Sequence, residues 1–426
     1  MKKILSVSAV AIALSMSGSA WAAGYQLSEY SATGLGRAFA GGGMVGDDYS
    51  AIGYNPAGMA VNEKSGMQIG ATYVGIRSSV KGSVSGQYQM TGPSSVAPAP
   101  ARSGDTSPYI VRVLPEAFGQ YKLNDQITLG FGMYAPFGLA TDYKNTWFGR
   151  SHALRSEILG YNFSPSISYQ PVDWLTFGAS VNFQYAAAKL TNGIEKNMGV
   201  PVYFANSQAN LEGDDWGVGY TVGLMVEPVK NTRLGVSYRS KISHQLKGDL
   251  KLTGLPAGNG KSDIMAKITT PEMIWITGYH QLTDKIGLSA TARWTKWNRF
   301  KELNIYPTDG GAAVSQTNEN WENTWFYALG ADYALTNKLT FRIGAAYDEP
   351  AVKSPENRTA RIPDARRWWA SVGASYERDN WQFDIGYSHI FVKSVEAKHG
   401  SEGTSNFNAK YSSNANLVGV NVQYKF

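Results

Sequence analysis

The chain contains no cysteine, so histidine and serine are the residue types that first come into question for catalysis or metal binding. Its five histidines are His152, His244, His280, His389 and His399. Ser151 precedes His152, but no strained nucleophile turn and no pattern of oxyanion-hole donors surrounds these two residues. The histidines also lack the spacing of metal ligands. The sequence therefore predicts neither an enzyme nor a metal site.

Glycines and basic residues form no motif for a cofactor or a nucleic acid. Gly34-x-Gly36 follows no predicted strand and opens no βαβ unit, so it does not indicate dinucleotide binding. The formal net charge is +6, and Lys and Arg nowhere form a run of five or more. We therefore expect no cofactor and no nucleic-acid partner.

The first 22 residues have the pattern of a secretory signal peptide. Lys2 and Lys3 precede an apolar stretch from Ile4 to Met16, and small residues lead to an A-x-A cleavage site that ends at Ala22. The apolar stretch is too short for a stable membrane-spanning helix. We predict cleavage after Ala22 and secretion of the remaining chain.

The remaining chain is dominated by apolar and polar residues that alternate with a period of two, which favours β-strands. Clear examples begin at Leu175, Trp216, Leu339 and Trp381 and run for the length that a tilted membrane strand needs. No stretch approaches 18 consecutive apolar residues, which excludes membrane-spanning helices. Fourteen such segments can be counted, with starts near residues 66, 109, 127, 157, 174, 215, 232, 267, 285, 321, 338, 367, 381 and 413.

The connections between these segments are alternately short and long, and the long ones lie near residues 78–108, 135–156, 190–214, 248–266, 302–320, 348–366 and 397–412. This arrangement is typical of an outer-membrane barrel with short periplasmic turns and long extracellular loops. A soluble β-sandwich or propeller is the alternative, but it would not place tryptophans at strand ends, where a membrane interface favours them. These are Trp174, Trp216, Trp294, Trp297, Trp321, Trp325, Trp368 and Trp381. The sequence predicts an all-β protein whose residues 66–426 form a 14-stranded antiparallel transmembrane β-barrel.

The segment from residue 23 to residue 65 shows no long alternation and is rich in glycine. Irregular backbone is not tolerated against lipid, whereas it is tolerated inside a barrel. A solvated periplasmic tail is the alternative, but the apolar side chains of this segment are too many for it. They include Tyr25, Leu27, Tyr30, Leu35, Phe39 and Met44. We predict an N-terminal hatch that lies in the lumen.

Several motifs resemble those of the FadL-type outer-membrane long-chain fatty-acid transporters, a family that includes transporters of aromatic hydrocarbons. The resemblance rests on their order and spacing and covers essentially the whole mature chain. The motifs are Ala23–Glu29, Gly34–Gly41, Asn55-Pro56-Ala57, Pro136–Thr141 with the following Trp147, Gly149-Arg150 and His152-Ala153, and Ile362–Trp368.

The resemblance implies a passive uptake channel in the bacterial outer membrane for long-chain fatty acids or similar hydrophobic molecules. Extracellular loops would capture the ligand, a lumenal pocket would hold it, and hatch movement would release it through a lateral wall opening. The capture residues would be Phe137, Leu139, Trp147, Phe148, Tyr203 and Phe204. Packing between loops is the alternative explanation for each of them.

The resemblance also implies hatch and gate residues, namely Tyr25, Leu27, Asn55, Pro56 and Ala57. Proline fixes φ and lacks an amide donor, and asparagine can bond backbone groups left open where a ladder breaks. An ordinary Asn-Pro turn is the alternative. A carboxylate head group would need a cation, for which Arg155 and Lys189 are candidates unless they pair with acidic residues.

We expect a monomer whose partners are the hydrophobic ligand, lipopolysaccharide and the barrel assembly machinery. An aromatic-hydrocarbon channel of the same fold and a surface adhesin or phage receptor are alternative functions. A hydrophilic porin is disfavoured by the predicted hatch and by apolar loop tips.

Overall fold

The alternating segments form antiparallel strands in the computed structural model, which describes residues 24–92, 95–400 and 405–426. The predicted signal peptide lies outside the described residues. The strands are β1 (Gly66–Ser85), β2 (Tyr88–Gly92), β3 (Ser95–Pro98), β4 (Arg102–Thr106), β5 (Tyr109–Lys122), β6 (Ile127–Asp142), β7 (Arg155–Val172), β8 (Leu175–Asn192), β9 (Glu195–Asn197), β10 (Pro201–Tyr203), β11 (Gln208–Val229), β12 (Thr232–Arg239), β13 (Ile242–Thr253), β14 (Gly260–Thr270), β15 (Met273–Gln281), β16 (Ile286–Thr295), β17 (Glu302–Pro307), β18 (Ser315–Asn318), β19 (Thr324–Ala334), β20 (Leu339–Asp348), β21 (Arg367–Arg378), β22 (Trp381–Val392), β23 (Val395–His399) and β24 (Asn406–Lys425).

Fourteen of the described strands form a closed antiparallel barrel, which confirms the predicted fold class. The first strand, β1, pairs with the last, β24, from Gly66↔Lys425 to Ser85↔Asn406, and this pairing closes the sheet. Six barrel strands begin at the predicted residue, namely those that start at residues 66, 109, 127, 232, 367 and 381. The barrel strands are β1, β5, β6, β7, β8, β11, β12, β15, β16, β19, β20, β21, β22 and β24.

The alternation in the sequence corresponds to the outer and inner faces of this barrel. On β8, Phe177 and Phe183 are exposed on the outer surface, whereas Thr176 and Asn182 are buried. The apolar face therefore points away from the interior, the reverse of a soluble sandwich, because the surrounding medium is hydrocarbon. None of the helices in the described residues is long and apolar enough to cross a membrane.

Several barrel strands continue beyond the predicted membrane span. Residues 135–142, predicted as part of a long loop, belong to β6, and β11 and β24 begin at Gln208 and Asn406, seven residues before their predicted starts. The prediction was wrong at these ends because the strand pairing persists where the apolar alternation fades. Beyond the barrel, β2, β3, β9 and β10 form a separate small sheet.

The N-terminal segment, residues 24–65, lies against the inner faces of the barrel strands. It contains helices α1 (Ala32–Gly36) and α2 (Ala51–Tyr54) and a 3-10 helix (Pro56–Val61), and a second 3-10 helix (Trp297–Arg299) follows β16. Ser31 caps α1 by accepting a hydrogen bond from the Gly34 amide. Residues 24–42 are all buried. The movement of this segment as a hatch stays a prediction.

Candidate functional site

The barrel wall is interrupted between β5 and β6. Within the described residues, β5 pairs with β6 only from Ala117↔Met133 to Lys122↔Thr128. The β6 register with β7 shifts between Tyr134 and Phe137, where Pro136 has no amide hydrogen to donate to a ladder. Residues 109–116 of β5 and 137–142 of β6 therefore leave their facing edges unpaired with each other, and we call this interruption the β5–β6 opening.

The N-terminal segment occupies the free edge of β6. The Leu27 amide donates to the Pro136 carbonyl at 2.8 Å, and the Gly138 amide donates to the Tyr25 carbonyl at 2.7 Å. Gln26 and Phe137 form an antiparallel bridge between these two bonds. A backbone hydrogen bond contributes about 0.5 to 1.5 kcal/mol net, so these two bonds by themselves attach the segment to β6 only weakly. Tyr25 and Leu27, both predicted as hatch residues, thus lie at the opening.

Tyr25 is enclosed by four aromatic side chains. Its ring centroid lies 4.7 Å from that of Trp297, 5.6 Å from that of Trp321, and 5.7 Å from those of both Phe300 and Phe137. We call these five residues the aromatic cluster. The Tyr25 hydroxyl is buried without a hydrogen-bond partner in the part of the chain that the structure describes. An unsatisfied hydroxyl is unfavourable, so ring packing is what holds Tyr25 in place.

Two tryptophans of the aromatic cluster were predicted incorrectly. Trp297 and Trp321 are almost fully buried, whereas a membrane-interface position would expose them.

Gly24, the residue before Tyr25, fits between these two tryptophans because it has no side chain. A Cβ there would lie 2.3 Å from Trp321 Cζ3, and its φ of +64° favours glycine. A strand-end tryptophan satisfies the interface pattern whether it points outward or inward, so the sequence could not separate the two cases.

Asn55, Pro56 and Ala57 contact strands on another part of the wall. The Asn55 side-chain amide donates to Leu224 O of β11 at 3.0 Å and to Val236 O of β12 at 3.4 Å. Its side-chain oxygen accepts from the Ala57 amide at 3.0 Å, which caps the 3-10 helix. Glycine at position 223 is required here, because a Cβ would lie 1.9 Å from Asn55 Oδ1. These bonds fix the segment to β11 and β12 rather than to the register shift in β6.

An ion network fixes a second point of the N-terminal segment. Arg37 lies 2.6 Å from Asp47 and 2.9 Å from Asp332 of β19, measured from nitrogen to carboxylate oxygen. Arg342 of β20 lies 2.8 Å from Asp47 and 3.2 Å from Asp332. Burial raises the pKa of Asp47, but Arg37 and Arg342 lower it more and keep it well below its usual range. Two cations and two anions thus balance in a buried anchor.

An apolar cavity lies where β7, β8, β11, β13, β14 and β17 come together. It has a volume of about 40 Å³ and is lined mainly by leucine, isoleucine and alanine. None of these residues was predicted as a site residue, and most of them lie in segments predicted as loops. The sequence feature that could have identified them is the weak alternation of apolar residues that persists in those segments. The lining includes Ile158, Leu190, Leu211, Leu246, Ile264, Ile268, Leu303 and Ile305.

A larger cleft of about 720 Å³ adjoins the apolar cavity. The two share Ala188, Glu212, Gly213 and Gly248. They lie on opposite faces of the same strands, because successive strand residues alternate between the cleft and the cavity, as Glu157 and Ile158 do on β7. The cleft contains both predicted head-group cations, Arg155 and Lys189. Each is paired with an acidic residue, since Arg155 lies 2.7 Å from Glu157 and Lys189 lies 3.1 Å from Glu212.

The six predicted capture residues lie in separate places. Phe137 and Leu139 are buried in β6, in the main lumenal core. Trp147 and Phe148, in the connection between β6 and β7, pack in a second apolar core with β1 and β24, where the ring centroid of Trp147 lies 4.0 Å from that of Tyr143.

The other two capture residues lie in the connection between β8 and β11. Arg102 lies over the ring of Tyr203 at 4.1 Å, and Phe204 packs against the apolar residues around the cavity. The structure therefore does not bring the six side chains into one groove, and their role in capture stays a prediction.

Known proteins resemble this chain over its whole length. The family model for outer membrane protein transport protein (OMPP1/FadL/TodX) matches residues 13–426. The 47 kDa outer membrane protein of Pasteurella multocida is 33% identical, over 96% of this chain and 96% of that protein. The long-chain fatty acid transport protein of Escherichia coli is 28% identical, over 100% of this chain and 99% of that protein. A Pseudomonas aeruginosa FadL homologue of known structure is 26% identical with a TM-score of 0.86, over 95% of this chain and 100% of that chain.

The closed barrel and these matches agree on the class of protein. They confirm the predicted resemblance and the predicted location in the outer membrane. The chain belongs to the OMPP1/FadL/TodX family of outer-membrane proteins, which transport hydrophobic molecules across the outer membrane.

Proposed function

We propose that this protein takes up long-chain fatty acids or similar long apolar molecules and releases them sideways through the β5–β6 opening. The observation that carries the proposal is the pairing of Tyr25–Leu27 with the free edge of β6. A segment held at a gap in the wall by two backbone hydrogen bonds and by the packing of Tyr25 can leave that gap without breaking any pairing between barrel strands. Lateral release suits an apolar ligand, because it enters the membrane without crossing water.

The path begins on the extracellular side. The apolar cavity offers a contact surface of leucine, isoleucine and alanine side chains, and the cleft with Arg155 and Lys189 lies on the other face of the same strands. Burial of an alkyl chain stabilises its bound state by about 0.8 kcal/mol for each methylene, which favours long chains over short ones. The similarity to a protein named long-chain fatty acid transport protein supports the same ligand class.

Release would require the N-terminal residues to move. Tyr25 would leave the aromatic cluster and the Leu27 and Gly138 amides would lose their partners, which frees the edge of β6. The rest of the segment would stay in place, because Arg37 and Asn55 attach it to β19, β11 and β12. No energy source is needed when the ligand moves down its own gradient.

A second candidate ligand is an aromatic hydrocarbon, and the aromatic cluster favours it. Four rings surround that of Tyr25 at centroid distances from 4.7 to 5.7 Å, within the range of favourable ring pairs. The ring of a ligand such as toluene could replace that of Tyr25 among them.

The test is uptake of radiolabelled oleate and radiolabelled toluene by cells that lack their own transporters, with wild-type protein and with Asn55→Ala. We expect saturable oleate uptake that falls severalfold in Asn55→Ala, because the variant loses its bonds to β11 and β12. Asn62→Ala is the matched control, since within the described residues the Asn62 side chain donates to the Asp48 carbonyl of the same segment and to Gln120 Oε1. Uptake of toluene alone would assign the hydrocarbon, and uptake of neither by a folded barrel would refute the proposal.

A further inference from the structure

Glu157 on β7 lies between two arginines that approach it from different strands. The Arg155 guanidinium on the same strand lies 2.7 Å from Glu157 Oε2. The Arg112 guanidinium lies 3.6 Å from Glu157 Oε1. Arg112 belongs to the unpaired part of β5, so its side chain reaches β7 across the β5–β6 opening. The three side chains form one charged group, which we call the Arg–Glu–Arg group.

Taken by themselves, these three side chains have one positive charge in excess and unused hydrogen-bond donors. The Nε atoms of Arg112 and Arg155 are both buried and have no acceptor among the described residues. Nη1 of Arg112 donates to the carbonyl of its neighbour Val111 at 2.8 Å, which leaves Glu157 as its acidic partner. A guanidinium carries five N–H donors that match a carboxylate in pairs. One carboxylate cannot satisfy both, so the donors indicate a second anion.

The group has apolar neighbours on the side of the main core and charged neighbours on the side of the cleft, namely Lys189, Glu212, Asp214, Lys247 and Asp249. Ile110 and Leu114 on β5, together with Leu159 and Tyr161 on β7, are buried members of the main core. Arg155, Glu157 and Leu159 also line the 720 Å³ cleft. An anion bound here would have its charge beside the arginines and apolar side chains within reach of the rest of the molecule. This combination fits an amphiphile with a carboxylate head and an alkyl chain better than a small hydrophilic anion.

We propose that Arg112 and Arg155 bind the carboxylate of an amphiphilic ligand at the β5–β6 opening, where it competes with Glu157. The proposal rests on the proposed function and makes the opening selective for anionic ligands. Arg112 would supply donors from one edge of the opening and Arg155 from the other side of β6. Because Glu157 occupies the site when no ligand is present, it limits the affinity and allows the head group to leave.

Binding of radiolabelled oleate and oleyl alcohol to the purified, detergent-solubilised barrel tests this proposal, because the two ligands share a chain and differ in charge. Arg112→Gln should weaken oleate binding about tenfold, the size expected for loss of a charge-assisted contact of about 1.4 kcal/mol, and leave oleyl alcohol unchanged. Arg155→Gln should have the same effect. Glu157→Gln should strengthen oleate binding, because it removes the competing carboxylate.

The opposite directions expected for Arg112→Gln and Glu157→Gln separate ligand binding from a purely structural ion pair. A structural pair would be broken by either change, so both variants would then shift both ligands alike, and this result would overturn the proposal. Arg77→Gln is the matched control, since Arg77 is an exposed arginine over the Tyr109 ring beside β5. Failure of the wild-type protein to bind either ligand would refute the proposed function itself, whereas equal binding of oleate by wild-type and both arginine variants refutes only the anion site.

Discussion

The backbone amide of Leu27 donates to the carbonyl of Pro136 at 2.8 Å, so a residue of the N-terminal segment takes the place that β5 leaves empty beside β6. Pro136 lies within the register shift of β6 and cannot donate a hydrogen bond of its own. Its carbonyl still needs a donor, because a buried unsatisfied carbonyl is unfavourable. The segment therefore supplies the donor that the Pro136 carbonyl lacks at the β5–β6 opening.

Leu27→Pro removes the amide hydrogen of this bond. We expect the equilibrium between sealed and open states to shift by about two- to tenfold toward the open state, which corresponds to one backbone hydrogen bond. Oleate uptake should persist, and passage of toluene through the wall should increase. The measurement is the initial uptake rate of both compounds in whole cells.

Leu27→Ala is the control for this change, since it removes most of the side chain and retains the amide. An increase in toluene uptake of the same size in Leu27→Ala would show that packing, and not the hydrogen bond, closes the opening. Unchanged toluene uptake in Leu27→Pro would contradict the seal.

Tyr25→Ala should convert the aromatic cluster into an empty aromatic site. Removal of a buried aromatic ring costs about 3 to 5 kcal/mol where the surroundings cannot collapse. Toluene can fill the space that the ring leaves, so its binding to the purified barrel should become stronger. Tyr25→Phe is the control, because the Tyr25 hydroxyl has no partner in the described part of the chain and its loss should leave toluene binding unchanged. Weaker toluene binding in Tyr25→Ala would rule out this use of the cluster.

The barrel could be predicted from the sequence because lipid selects one face of every strand. On β8, the exposed Phe177 and the buried Thr176 can be assigned to the outer and inner faces from the local alternation alone, without knowledge of any other strand. The opening could not be predicted in this way. Pro136 interrupts the alternation, so Phe137 and Leu139 were assigned to a loop although they lie in β6.

The contact between Arg112 and Glu157 could not be predicted from the sequence either. It lies 45 positions before Glu157, and only the closed barrel and the missing β5–β6 pairing bring the two side chains to 3.6 Å. Arg155 and Lys189 were predicted as cations for a ligand, but their pairing with Glu157 and Glu212 required the strand register. Contacts between distant strands depend on register, which local alternation does not report.

Arg37→Met should release the N-terminal segment from the ion anchor. The change leaves Asp47 and Asp332 with Arg342 as their remaining basic partner, and breaking a buried ion pair costs about 3 to 5 kcal/mol. We expect proteases to cleave residues 24–65 faster, while the barrel keeps its resistance to unfolding in detergent gels. Arg378→Met, which changes an exposed arginine at the end of β21, should alter neither property. Equal protease resistance of the Arg37 variant and wild type would show that the anchor does not hold the segment.

We predict that His152 makes the connection between β6 and β7 sensitive to acid. Its ring centroid lies 4.7 Å from that of Phe407, and its Nε2 lies 3.2 Å from Ser405 Oγ. Burial, with smaller contributions from His399, Arg361 and Arg102, lowers the pKa of His152 from 6.5 to about 3. The unfolded loop therefore binds more protons than the folded loop between these two pH values, so the contribution of His152 to loop stability is greatest above pH 6.5 and falls as the pH decreases toward 3.

Hydrogen exchange of the loop amides near residues 143–154, compared at pH 7.5 and pH 4.5 after correction for the intrinsic rates, measures this effect. We expect greater opening at the lower pH in the wild-type protein and a smaller difference in His152→Gln, whose side chain cannot become charged. His280→Asn is the control, because His280 is exposed and far from Phe407 in the barrel. A pH difference as large in His152→Gln as in the wild type would assign the acid sensitivity to another group. The next residue to replace would be His399, whose ring is stacked on that of Phe407 at a centroid distance of 6.0 Å.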